Sequence, residues 1–157
     1  VAVVSERFIG ARAIWKTENF RDLFVTFGRP DGIGMSSIVG LLSPLDRLTP
    51  EGRRIKLLPV ASAKSYLVAP IAPGLIEEVG IESVETISPD KVYFPSVPSG
   101  SFALDGEREL TFTENDDVSI RLQVDAFRTI NVSDCMAFAA KQGLLIRGAT
   151  SSPRAAQ

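Results

Sequence analysis

Three short segments carry residue types whose chemistry goes beyond packing. Asp105-Gly106-Glu107 sets two carboxylates two positions apart, able to hold a magnesium-nucleotide complex or simply to rim a turn. The glycine-rich stretch from Gly28 to Gly40, with Gly32, Ile33, Gly34, Met35, Ser36 and Ser37 at its centre, can offer bare backbone amides to a phosphate or a ligand carbonyl. It has neither the dinucleotide-binding nor the P-loop glycine spacing, so on its own it reads as a tight turn. Val68-Ala69-Pro70-Ile71-Ala72-Pro73-Gly74 brackets an apolar pair with two prolines, which bars a central strand and predicts a strand end turning into an ordered loop. Arg53, Arg54 and Lys56 form the densest positive cluster, yet Ile55, Leu57 and Leu58 beside them suit a solvated edge strand equally well.

The elements that must position these segments are short. Val1 to Val4, Ala11 to Trp15 and Leu23 to Phe27 read as extended runs separated by polar or glycine-containing turns. A short helix should follow the glycine loop, capped by Ser36 or Ser37 and stopped before Pro44. Pro50 to Arg53 reads as an exposed tip. Strands are then expected at Arg54 to Leu58, Ser65 to Ala69, Val84 to Ile87, Lys91 to Phe94, Ser101 to Leu104, Arg108 to Phe112 and Val118 to Leu122. Around Asp105 the register is constrained: a two-residue loop would oppose Phe102 to Glu109, whereas a three-residue loop opposes it to Leu110 and keeps Leu104, Leu110 and Phe112 on one face. The second arrangement is predicted. From Ser133 to Gly143 the period changes: Cys135, Met136 and Ala139 recur at helical spacing, Ser133 or Asp134 can cap, and Gly143 supplies the stop. The expected fold is mainly β with one or two short helices (α+β), sandwich-like, over residues 1–147, followed by a flexible tail at 148–157.

Composition narrows the chemistry further. The chain has 157 residues, 45% hydrophobic and 23% charged, enough to fold around a core of its own. Lys plus Arg number 17 against 19 for Asp plus Glu, so no global positive field exists to hold a nucleic acid. Histidine is absent, which removes Ser-His-Asp triads, Cys-His dyads and histidine zinc sites. The lone Cys135 cannot form an internal disulfide, and its apolar helical setting predicts a buried structural thiol and a cytoplasmic, reducing compartment. No apolar run reaches membrane-spanning length, and the start at Val1, directly in an apolar run, suggests a piece of a longer chain. Asn131-Val132-Ser133 matches a glycosylation sequon but is read as a turn before the helix.

In their order along the chain, the three segments resemble the C-terminal domain of the NAD kinase superfamily, and in particular its acetoin-catabolism X branch of ATP-NAD kinase-like proteins. Gly32 to Gly40 stands where that family carries a glycine-serine-threonine-alanine-tyrosine loop facing the dinucleotide. Val68 to Pro73 is similar to its "TPI-P" stretch, and Leu104-Asp105-Gly106-Glu107 to its late Asp-Gly turn. The resemblance implies nucleotide-site roles for Gly32, Ile33, Gly34, Met35, Ser36, Ser37, Asp105 and Glu107, with no catalytic residue and no metal ligand assigned in this chain. It implies ATP and Mg2+ as cofactors of the parent protein, NAD as a substrate, an N-terminal α/β kinase domain of the same chain as partner, and homo-oligomers, with no nucleic acid or membrane. The family's threonine and tyrosine are replaced by Gly34 and Ser36, and its Gly-Gly-Asp-Gly-Thr motif is missing from these 157 residues, so the chain alone should not transfer a phosphoryl group. Two alternatives stand beside this: a lipid kinase of the diacylglycerol or sphingosine type, and an oligomerisation or regulatory module without kinase activity.

Overall fold

A computed structural model describes residues 1–6, 17–46, 49–104, 108–126 and 128–147. Its chain divides into two compact units, Val1–Val124 and Asp125–Gln157.

Alternating apolar residues build the first unit. β1 (Ala2–Val4), β2 (Phe20–Val25), β3 (Gly52–Leu58), β4 (Ser65–Ala72), β5 (Leu75–Ile87), β7 (Gly100–Leu104) and β8 (Arg108–Phe112) pair antiparallel in the order β4-β5-β3-β2-β1-β7-β8. β6 (Val92–Tyr93) and β9 (Ile120–Arg121) form a separate two-stranded ribbon. The period of two sends successive side chains to opposite faces, and both faces are covered. On one, Ala2, Val4, Leu23, Ile55, Leu57 and Val79 pack with Ile38 and Val39 of the helix α1 (Met35–Leu42). Burying Ile38 fully is worth about 1.5–3 kcal/mol. On the other, Val3, Phe24, Ile87, Phe102 and Phe112 gather with Tyr93 of the ribbon, Phe102 stacking on Phe112 at 4.7 Å between centroids. The fold is thus mainly β with short helices, as expected.

The hairpin register is the predicted one: Phe102 opposes Leu110 and Leu104 opposes Arg108, with three residues between the strand ends. The expected strand at Ala11 to Trp15 and the residues Asp105 and Glu107 lie outside the described residues. Other expectations need correction. β4 does not stop at Ala69 but runs past Pro70 to Ala72. It tolerates this because it is a terminal strand of the sheet, and its pairing slips between Pro70 and Ala72. β5 is a 13-residue strand of which only Val84 to Ile87 was foreseen. Its first half has no strong pattern of its own and is fixed by pairing with β4 on one side and β3 on the other. β3 is not a solvated edge strand: it lies between β5 and β2, and Gly52, at the supposed tip, is buried.

Neither expected helix cap holds. α1 is capped by Gly34, and the Ser37 hydroxyl donates back to the Gly34 carbonyl at 2.7 Å. In the second unit, α2 (Val132–Lys141) is capped by Asn131, whose side chain accepts from the Asp134 amide, two residues before Ser133 and three before Asp134. Gly143 does take the left-handed stop, at φ 63°. Cys135 is exposed, against the expectation of a buried thiol, because no residue of α2 is buried.

Candidate functional site

The glycine loop is built as a closed strap. Gly28 and Leu45 exchange backbone hydrogen bonds at 3.0 and 2.9 Å, an isolated bridge that closes the loop and α1 at their base. Inside it the Gly32 amide donates to the Arg29 carbonyl, and the Gly34 amide donates to the Pro70 carbonyl of β4 at 2.9 Å. Gly34 sits at φ 93° and ψ −166°, a conformation open essentially only to glycine. Two segments that looked separate in the sequence, Gly32 to Ser37 and Val68 to Pro73, are therefore stitched together.

The individual residues of the loop divide by role. Ser37 is fully buried and its hydroxyl is spent on holding Gly34; Met35 packs against the core. Ile33 is exposed, and Gly32, Gly34 and Ser36 are half-buried. The N–H groups of Ile33, Met35 and Ser36 have no backbone acceptor among the described residues, and those of Met35 and Ser36 belong to the first turn of α1, at the positive end of its dipole. Beside them Arg29 donates to Asp31 at 2.8 Å, and that hydrogen bond holds the Asp31 carboxyl below the usual range. Hydrogen bonds from the Thr113 hydroxyl and amide similarly lower Asp116, beyond the end of β8.

The strands that flank the third segment lie apart from this loop. The hairpin strands β7 and β8 lie at the far end of the sheet from β4, with β7 five strand spacings from it, about 24 Å measured along the sheet. Among the described residues no cluster of three or more Cys, Asp or Glu side chains is placed to hold a metal ion. Asp105 and Glu107 lie outside the described residues.

A second polar constellation, unforeseen in the sequence apart from its arginine, occupies the opposite face of the sheet. Asp22 is 0% exposed. Its Oδ1 accepts from Arg54 Nε at 2.8 Å and from the Ser96 hydroxyl at 2.6 Å, while Oδ2 accepts from the Ser96 amide at 2.8 Å. Arg54 also donates to the Phe94 carbonyl, pairs with Glu85 at 3.3 Å and lies 5.2 Å above the Phe24 ring. An open cavity of about 480 Å³ adjoins it, lined among others by Lys56, Glu82, Tyr93 and Phe94. The signal for Asp22 was an acidic residue two positions before Phe24 in the strand Phe20 to Val25, whose other charged residue is Arg21. With both carboxylate oxygens and the guanidinium already satisfied, this network is a structural tie between sheet and ribbon.

Comparison with known proteins agrees with this layout. The profile of the acetoin catabolism protein X C-terminal domain matches residues 1–125, which is the extent of the sheet unit to within a residue. The acetoin catabolism protein X of Cupriavidus necator strain H16 is 42% identical over 145 residues, covering 92% of this chain and 40% of that protein. The chain thus spans about two fifths of the length of that relative. No solved structure matches. The chain belongs to the acetoin catabolism protein X C-terminal domain family.

Proposed function

We propose that this domain forms one wall of an interdomain nucleotide-binding cleft in an ATP-dependent NAD kinase-like protein. The observation that carries the reading is the trio of unbonded amides of Ile33, Met35 and Ser36, held open by the Gly34–Pro70 and Ser37–Gly34 hydrogen bonds. Such donors suit a dinucleotide phosphate or carbonyl without a charged side chain. ATP and Mg2+ would be held with the N-terminal α/β domain of the parent protein, which would also supply the catalytic aspartate. This wall positions and excludes water; it does not itself transfer phosphate. Titration of the full-length parent with NAD and with Mg-ATP in a calorimeter is expected to give heat for both. Gly34→Ala should weaken NAD binding at least about tenfold, because an alanine strains the turn that aims the amides. A folded parent that gives no heat with either ligand overturns the reading.

One observation favours a second reading, that of an oligomerisation module. β4 is a terminal strand, and Tyr66 and Val68 on it, with Ile76 on β5, expose an apolar patch on one face. If this patch pairs copies, Val68→Lys should shift the sedimentation coefficient toward monomer, and a wild-type protein that stays monomeric at high concentration excludes it.

A further inference from the structure

The open cavity of about 480 Å³ beside Arg54 lies on the face of the sheet turned away from α1, and the nucleotide reading makes no use of it. Its floor follows from strand register. Arg54 and Lys56, two positions apart on β3, project to the same face. β5 pairs Ser83 with Lys56 and Ile81 with Leu57, so Glu82 is the extra residue of a bulge, a device by which a strand re-aims a side chain beside a site. Glu82 lines the cavity together with Lys56. The wall, Val92 to Ser96, is held in place from several sides. Asp22 accepts from the Ser96 amide and hydroxyl, Arg54 donates to the Phe94 carbonyl, and the Tyr93 hydroxyl accepts from the Ser88 amide at 3.0 Å. A wall already fixed has little freedom to lose when a ligand arrives.

Two charges at this cavity are left over. Arg54 is balanced by Asp22 at 2.8 Å and by Glu85 at 3.3 Å. Asp22 stands opposite Lys56 in the register, yet its oxygens go to Arg54 and Ser96. The half-buried Lys56 ammonium and the exposed Glu82 carboxylate therefore make no ion pair or side-chain hydrogen bond among the described residues, with each other included. Beside them Phe94 is 58% exposed and Val92 40%, an apolar flank to a polar floor. We infer that the cavity binds a free α-amino acid with an apolar side chain: Lys56 takes the carboxylate, Glu82 takes the ammonium, and the side chain lies against Phe94 and Val92. A phosphate dianion would find one free cation and then meet Glu82, and a simple amine would meet Lys56. A zwitterion answers both charges, and an aromatic side chain gains further by stacking on Phe94. The site is independent of the nucleotide reading and stands or falls without it.

Three probes with one ring body separate the two charges: L-phenylalanine, 3-phenylpropanoate, which lacks the ammonium, and 2-phenylethylamine, which lacks the carboxylate. Calorimetric titration of the full-length parent is expected to give saturable binding of L-phenylalanine with a Kd of about 1 mM or lower. Either of the other probes should bind at least about tenfold more weakly, each having lost one charge-assisted hydrogen bond. Lys56→Met should weaken L-phenylalanine by a similar factor. Glu82→Gln should weaken it too, while strengthening 3-phenylpropanoate, because a carboxylate that repels the bare acid is gone. Since neither side chain holds another in place, both variants should keep the wild-type melting temperature. A folded parent that binds neither L-phenylalanine nor L-leucine overturns the site, as does L-phenylalanine binding that Lys56→Met leaves unchanged. Equal affinity for L-phenylalanine and 3-phenylpropanoate overturns the zwitterion, because Glu82 then contributes nothing to the choice of ligand.

Discussion

Asp22→Ala is expected to lower the unfolding free energy by about 3–5 kcal/mol, because it strands the Arg54 guanidinium in the interior. The aspartate is the acceptor for both Arg54 and Ser96, the latter through amide and hydroxyl. Without it Arg54 keeps only the Phe94 carbonyl, the Ser96 hydroxyl and the partly exposed Glu85. A loss of this size is a large share of the roughly 5–15 kcal/mol that typically holds a domain together. The same change frees Ser96 from β2, so the Phe94 to Ser96 wall of the cavity should loosen with it. Urea unfolding followed by far-UV dichroism measures the effect. A midpoint shift equivalent to under about 1 kcal/mol would show that the pair contributes no more than a surface ion pair. The double replacement Asp22→Leu with Arg54→Met should recover most of the loss, since it is the unpaired charge, rather than the absence of a pair, that is costly.

Gly40→Ala should destabilise the protein by about 1–3 kcal/mol, the reverse of the usual helix rule. At an exposed helical site, alanine is better than glycine by about 1 kcal/mol. Here a Cβ would fall 2.1 Å from the Arg29 carbonyl oxygen and 2.3 Å from its carbon. Both are backbone atoms and cannot swing aside as a side chain would. Gly28 repeats the constraint from the other side, where a Cβ would meet the Gly40 amide nitrogen at 2.8 Å. The loop therefore crosses α1 through a notch that only hydrogen atoms fill. To admit a methyl group the strap must lift, which disturbs the amides of Ile33, Met35 and Ser36. Under the proposed nucleotide reading, Gly40→Ala in the full-length parent should thus lose NAD affinity as well as thermal stability. A variant whose melting temperature equals or exceeds that of wild type would refute the close crossing.

How much was legible before folding depends on where each constraint originates. The β7–β8 register was readable because Phe102, Leu104, Leu110 and Phe112 lie within a few residues of one turn, and only one pairing keeps them on a common face. The period and the Gly143 stop of α2 were readable for the same local reason. The glycine loop and the proline segment were each visible, but their junction was not, because the Gly34–Pro70 hydrogen bond joins residues far apart in the chain.

By itself, then, the order of residues determined the mainly β class, most strand positions, the hairpin register and the absence of histidine chemistry. Each of these follows from local periodicity or from residue inventory. Only the tertiary structure decided that β3 is central and Arg54 buried, that Asp22 is its counter-charge, that β5 extends over 13 residues, and that Cys135 is exposed. Those outcomes depend on which strand lies beside which, and on whether a helix finds a surface to cover. Such information resides in contacts between distant segments, where burial and partner charge override what any short window of sequence prefers.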